Sequence, residues 1–179
     1  MDLDKIVENK FFQKTFEILK DNYLTIGICE PFSKGNLSKI FKKLDPNGIC
    51  FNGQYKGFWY EKTPEIFDED RQIKEEYEKR IIKKTKKLAS ETRRKTSSLI
   101  GIAITSYRQN DYDTIVGNDI HSPKALHQDK FYIAISYMDE EVKIVKSQWF
   151  NAVLREDIID VVMNQLFLHL YNMFRSYIE

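Results

Sequence analysis

Two segments that alternate residue by residue constrain this chain more than any other feature. In 98–107, Ile100, Ile102 and Ile104 share one face; in 130–137, Phe131, Ile133, Ile135 and Tyr137 do. A period of two is the period of a strand, and such apolar rows demand a partner layer that covers them. A third strand is expected over 141–147, with Met138-Asp139-Glu140 as the turn that makes the last two antiparallel. Further strands are expected at 23–29 and 112–116. Residues 49–60 read as a hairpin, because Asn52-Gly53 supplies the positive φ angles of a tight type I′ turn. A strand pair this short must join a larger sheet.

Helices surround these strands. Apolar residues recur at helical spacing over 4–20, and Leu37, Ile40, Phe41 and Leu44 make a one-faced stripe after Asn36 as a cap. Thr63-Pro64-Glu65 is a strong helix start, and the helix it opens could run to Lys95. A final helix over about 155–177 is apolar nearly all round, as a buried or interface helix is, with Ile159, Val162, Leu166, Leu170 and Met173 expected inward. The expected fold is therefore a single α+β domain spanning 1–179. Its mainly antiparallel sheet of five to six strands packs with an N-terminal helical pair, a long charged central helix and a buried C-terminal helix.

Composition narrows the function classes. The chain has 179 residues, 42% of them hydrophobic, so it can bury a core of its own. Lys and Arg total 28 against 27 Asp and Glu, which leaves no global charge to attract nucleic acid or membrane. Cys29 and Cys50 form neither a disulfide framework nor a CxxC pair, which favours a reducing compartment. The first residues are too charged for a signal peptide, and 158–174 is too polar to span a bilayer. A cytoplasmic protein with no membrane contact is expected.

The central helix carries a gradient of charge. Acids outnumber bases in 61–79, whereas 80–95 is basic apart from Glu91. Complementing the helix dipole accounts for the gradient. The grouping of Arg80, Lys83, Lys84, Lys87 and Arg94 on one side could also track phosphates, as a nucleic-acid interface does. Ile66, Ile73, Tyr77, Ile81 and Leu88 form a narrow apolar seam on the same helix. A helix from 64 to 95 spans about 48 Å, more than the roughly 40 Å diameter of a domain this size. Either it breaks near Ser90–Thr92, or its seam pairs with another chain. A homo-oligomer is expected, with Tyr55, Trp59, Tyr77, Ile81 and Leu88 as interface residues, and with another protein or a nucleic acid as partner.

Residues 111–129 concentrate Asp111, Asp113, Asp119, His121, His127 and Asp129 in what reads as loop. Asp119 followed by Glu141-Val142-Lys143 has the layout of a metal-dependent nuclease. Two carboxylates would hold Mg²⁺ or Mn²⁺ and the lysine would assist the attacking water, with His121 as a further participant. The plain alternative is a polar connecting loop with no metal and no cofactor. A lone His169 in the last helix reads as a core or interface histidine.

The strand succession of 98–147, closed by the run REDIIDVVMNQL, resembles barrel-type ribonuclease toxins, although Ser97-Ser98-Leu99-Ile100 stands where their Arg-Pro pair would be. Spirochaetal plasmid-maintenance proteins have a similar strand–strand–helix close. Neither resemblance carries a residue role over. The leading expectation is a non-enzymatic intracellular binding protein, such as an accessory protein of a mobile element, acting through the basic helix stripe and the aromatic hairpin; the alternative is the nuclease.

Overall fold

The computed structural model describes residues 3–30, 35–57, 63–64, 69–108, 128–151 and 155–178. Among the described residues, five helices and seven strands follow one another as α1 (Leu3–Val7), α2 (Lys10–Asp21), β1 (Ile26–Cys29), α3 (Asn36–Leu44), β2 (Phe51–Gln54), α4 (Arg71–Lys95), β3 (Ile100–Ser106), β4 (Gln128–Asp129), β5 (Phe131–Tyr137), β6 (Lys143–Lys146), β7 (Phe150–Asn151) and α5 (Arg155–Phe174). A 3₁₀ turn, Arg175–Ile178, extends the last helix. The main sheet has the order β2-β1-β3-β5-β6, and β4 pairs β7 in a separate ladder.

The α+β class stands, but the sheet is mixed rather than mainly antiparallel. β1 runs parallel to both β2 and β3, while β3/β5 and β5/β6 are antiparallel, the latter across the expected turn at Met138-Asp139-Glu140. The reason lies in the connections. A parallel pair needs a crossover of a dozen or more residues, and α3 and α4 supply two of them.

The two faces of the sheet differ in side-chain size. Ile26 and Ile28, then Ile100, Ile102 and Ile104, then Ile133 and Ile135 cover one face, all fully buried. Against it pack α2, α3 and α5 through Phe16, Leu19, Ile40, Phe41, Leu166 and Phe167. The Phe41 ring lies 5.8 Å from those of Phe16 and Phe167 and 5.6 Å from that of Phe51. The residues between the isoleucines are small: Gly27, Cys29, Gly101, Ala103, Thr105, Ala134 and Ser136. On this second face lies α4, inserting Ile81, Thr85, Leu88, Ala89 and Thr92. A methyl group at Gly101 would overlap the Ala89 carbonyl oxygen and the Arg93 backbone, and one at Gly27 would overlap the Thr96 side chain.

Several expected elements change in this setting. The expected helix over 4–20 is two helices, because the Asn9 carboxamide accepts from the Phe11 and Phe12 amides and starts a new one. Asn52-Gly53 is no hairpin turn. Both lie inside β2, where Ile26 faces Phe51 but Gly27 faces Gly53, so Asn52 is the extra residue of a bulge and Gly53 takes the positive φ of 114°. The Asn52 amide group donates to the Thr96 and Ser97 carbonyls, tying β2 to the end of α4. Helix α4 begins at Arg71, with the Asp70 carboxylate accepting from the Ile73 amide, not at Pro64. At about 37 Å it fits the domain. It neither overhangs nor breaks near Ser90, and Tyr77, Ile81 and Leu88 are buried against the chain's own sheet. The expected strand at 112–116 lies outside the described residues.

On α5, Ile159, Val162, Leu166 and Leu170 are fully buried and Met173 is partly so. Its remaining exposed face carries Val161 and Leu168 beside Asp160, Asn164 and Gln165. No helix of the described residues is long and apolar enough to cross a membrane.

Two substitutions test this layering by denaturant titration. Leu166→Ala should cost about 2–5 kcal/mol, as buried leucines do. Gly101→Val should cost at least about 1–3 kcal/mol by overpacking, whereas Leu99→Ala on the partly exposed neighbour should cost far less. A Gly101→Val protein as stable as wild type would mean that α4 does not rest on this face.

Candidate functional site

The three parallel strands end on one edge of the sheet. Their chain exits diverge, the one after β1 leading to α3 on the isoleucine face and the one after β2 to α4 on the small-residue face. In open sheets built this way, the crevice beyond the carboxyl ends of such strands is where ligands are taken. What stands at that edge is polar and buried.

Glu30 directly follows β1 and is 1% exposed. Its carboxylate accepts from the Leu37 amide at 3.1 Å, the Ser38 amide at 2.8 Å and the Ser38 hydroxyl at 2.8 Å. It therefore caps α3, where the partial positive charge of the helix terminus favours an anion. Gly35, at φ 85°, makes the left-handed entry into that helix.

Ser106 ends β3 and is paired with Phe131 of β5. Its hydroxyl oxygen is buried with no hydrogen-bond partner among the described residues. Two residues on, the Arg108 amide donates to Asp129 Oδ1 at 3.3 Å and its Nε donates to the Gln128 carbonyl at 2.6 Å. Asp129 is fully buried; its Oδ1 also accepts from the Lys130 amide at 2.7 Å, and its Oδ2 lacks a partner among the described residues. Burial pushes this carboxyl up to about 7, and the amides of Lys130 and Arg108 with the Arg108 charge only partly offset that. An acid with such a value exchanges its proton near neutrality.

On the other face of the same edge, α4 and β5 meet in a second polar group. Lys130 Nζ lies 2.7 Å from Glu78, the Tyr132 hydroxyl donates to Glu78 at 3.2 Å, and Lys146 stands 3.9 Å away. Burial alone would raise Glu78, but the Lys130 hydrogen bond and charge, with Lys146 and Tyr132, outweigh it and hold it low. The Tyr77 hydroxyl donates to the Tyr107 carbonyl at 2.6 Å, and the Tyr107 ring meets Trp149 edge-on at 4.9 Å. Arg71, Lys74, Glu75, Glu78, Tyr107, Gln128, Lys130 and Trp149 line a cleft of about 370 Å³ there.

Of the residues singled out from sequence, few gather at this edge. Arg80, Lys83, Lys84, Lys87 and Arg94 lie on the exposed side of α4, with Lys87 3.9 Å from Glu91. Tyr55 is partly buried against Leu88 and Cys29 rather than open as an interface. Trp59, Ile66, Asp119, His121 and His127 lie outside the described residues. Glu141 is exposed beyond the β5–β6 turn, at the opposite end of β5 from Asp129, and Lys143 opens β6 opposite Ile135. Among the described residues no three His, Cys, Asp or Glu side chains gather as a metal site. Asp129 belonged to the polar loop noticed in the sequence. Glu30, Ser106, Arg108, Glu78, Lys130 and Trp149 went unremarked, although a charged residue directly after a buried strand, as in Cys29-Glu30, marks the carboxyl edge of a parallel sheet.

No protein-family model matches the chain, and no curated protein is recognisably similar to it in sequence. Solved structures are similar in fold. A CinA (competence-damaged protein) superfamily protein from Klebsiella pneumoniae matches with a TM-score of 0.61 at 10% identity, over 93% of this chain and 97% of that one. The competence damage-inducible protein A (ComA) of Klebsiella pneumoniae subsp. pneumoniae gives 0.61 at 12% identity over 92% and 96%. A competence or damage-inducible protein from Enterobacter asburiae gives 0.58 at 16% over 93% and 96%. This likeness overturns the reading as a mobile-element accessory protein acting on a macromolecule through the basic stripe, and that as a D…ExK nuclease. The physical reasons agree: Tyr77, Ile81 and Leu88 of the seam are internal although Ile73 is exposed, Tyr55 packs inward, and the three carboxyl-edge groups Glu30, Arg108 and Asp129 are not those of the nuclease layout. What the chain shares with CinA-superfamily proteins is their fold.

The buried Asp129 has a measurable consequence. Its native pKa, about 7, lies above the value near 3.8 of an ordinary aspartate, so the native state holds the extra proton and this residue's contribution to stability falls as pH rises from about 4 to 7. Asp129→Asn keeps the Oδ1 acceptor and removes the titration. Wild type should therefore lose stability relative to the variant across that window, by an amount on the order of a few kcal/mol. Parallel stability curves for the two proteins in urea would contradict the assignment.

Proposed function

We propose that this protein binds and transforms a small polar molecule at the carboxyl edge of β1 and β3, with Asp129 as the group that gives and takes the proton. The observation that carries this reading is the pair of buried oxygens at that edge, Asp129 Oδ2 and Ser106 Oγ, that have no hydrogen-bond partner among the described residues. Buried polar atoms without partners are costly, and they mark places that a ligand or an ordered water completes. The raised carboxyl suits general acid–base work near neutral pH, because it can be protonated or ionised at little cost there. Arg108 stands beside it to favour the ionised form as the proton leaves.

Glu30 serves the site as a fixture. With the α3 amides already taken by its carboxylate, that helix start is held rigidly beside the edge and its anion-binding capacity is filled from within.

The test is a thermal-shift and calorimetric screen of small amides, carboxylates and phosphate esters from pH 5 to 9. A hit should bind wild type with a pH profile that inflects near 7, and Asp129→Asn should flatten that profile while Ser106→Ala weakens binding at all pH values. An unchanged profile in Asp129→Asn would remove Asp129 from the reaction and this reading with it.

A further inference from the structure

At the end of the sheet opposite Ser106 and Asp129, the parallel strands begin and β5 ends. All three non-glycine residues with left-handed backbone among the described residues stand there: Tyr23 at φ 54°, Ser97 at 52° and Met138 at 48°. Tyr23 closes α2 in a Schellman ending, its amide donating to the Lys20 carbonyl at 3.1 Å and that of Leu24 to the Leu19 carbonyl at 2.9 Å. Glycine is the usual occupant of such a position. Here it holds a tyrosine that is 74% exposed, so neither the backbone nor the core accounts for the side chain.

Neighbouring strands extend the feature. Ile49 precedes β2, Leu99 precedes β3 and Met138 follows β5, with exposures of 48%, 37% and 46%. Their backbones are pinned. The Ile49 amide donates to the buried Asp45 carboxylate at 3.0 Å, that of Leu99 to Thr25 Oγ1 at 2.9 Å, and that of Met138 to the Leu99 carbonyl at 3.1 Å. The strand order β2-β1-β3-β5 sets the four side chains along the edge as Ile49, Tyr23, Leu99, Met138. Lone exposed hydrophobes are ordinary, but a fixed apolar row across four adjoining strands marks a contact surface.

Charge divides along the same edge. Beyond Met138 the turn presents Asp139, Glu140 and Glu141, all exposed. Toward the other end lies the last turn of α4: Thr96 covers Gly27 of β1, and Asn52 of β2 donates to the Thr96 and Ser97 carbonyls. Exposed Arg94 and Lys95 therefore stand on the β1–β2 side. We propose that this edge joins two copies of the chain about a two-fold axis between β1 and β3. The rotation sets Ile49 against Met138 of the second copy, Tyr23 against its Leu99, and the acidic turn against its Arg94 and Lys95. Each contact occurs twice, as an isologous interface requires. The acids and bases at the rim fix the register, while the apolar row is the part removed from water. The seam residues Tyr77, Ile81 and Leu88 take no part, being covered by the sheet of their own chain.

Sedimentation equilibrium on the full chain tests this. Wild type should reach twice the mass of one chain as concentration rises. Tyr23→Asn suits the left-handed backbone better than tyrosine does, so that variant should fold while dimerising at least tenfold more weakly. Two charge reversals give the second arm. Arg94→Glu with Lys95→Glu in one protein, and Asp139→Lys with Glu140→Lys in another, should each stay monomeric, because each sets like charges against each other. Mixed together, they should form a one-to-one dimer. A single-chain mass for wild type at every concentration, an undiminished dimer in Tyr23→Asn, or a mixture of the two folded reversal proteins that stays monomeric would overturn the proposal.

Discussion

Helix α4 lies flat on a sheet because the strands beneath it lack bulk on that side. A helix can approach a sheet closely only where side chains do not intervene, and glycine at positions 27 and 101, with alanine at 103 and 134, clears the path. The helix answers in kind with Thr85, Ala89 and Thr92. Thr85 and Thr92 turn their hydroxyls back to the carbonyls four residues earlier, Ile81 and Leu88, and so bring no unpaired polar group into the interface. Toward its N-terminus α4 carries larger groups, Tyr77 and Ile81, which meet Tyr107 and Tyr132. The layer thus widens toward the carboxyl edge of the parallel strands.

That widening sets the chemistry of the edge. The tyrosines fill it, and the Tyr77 and Tyr132 hydroxyls, with the charged ends of Glu78 and Lys130, find their partners within the edge itself, at the Tyr107 carbonyl and in the Glu78–Lys130 pair. On the opposite face the isoleucine core stops at Ile104, and Ser106, Arg108 and Asp129 continue beyond it in buried surroundings. A carboxyl in such a place is neutralised more readily than in water, which is the origin of its raised value. Fold and reactivity therefore share a cause: the strands run out of apolar residues before the protein runs out of interior.

The legible part of the sequence was the part with a strict period. Ile100, Ile102 and Ile104 declared β3, Ile133 and Ile135 declared β5, and Leu166 and its neighbours declared the inner face of α5. Strand direction was not legible, because a short buried run such as Ile26–Cys29 looks the same in parallel and antiparallel pairing. Asn52-Gly53 misled because the same positive φ that closes a hairpin also makes a bulge. The seam on α4 misled for a subtler reason. Tyr77, Ile81 and Leu88 form a narrow stripe, and a narrow stripe suits a coiled partner or a floor of glycine and alanine equally well; only the residues between the isoleucines of β3 and β5 distinguish the two. The edge residues stayed hidden because Glu30, Ser106, Arg108 and Asp129 are far apart in the chain, and adjacency there depends on the strand order.

The seating of α4 can be measured as a cross-link. The Thr85 and Thr105 hydroxyls are 2.7 Å apart, one on the helix and one on β3. In a Thr85→Cys, Thr105→Cys protein, mild oxidation followed by peptide mapping should find a disulfide between these two positions within one chain, formed in high yield at low protein concentration. A bond between two chains, or free thiols at both positions in a folded protein, would place α4 elsewhere and contradict the account of both the core and the edge built upon it.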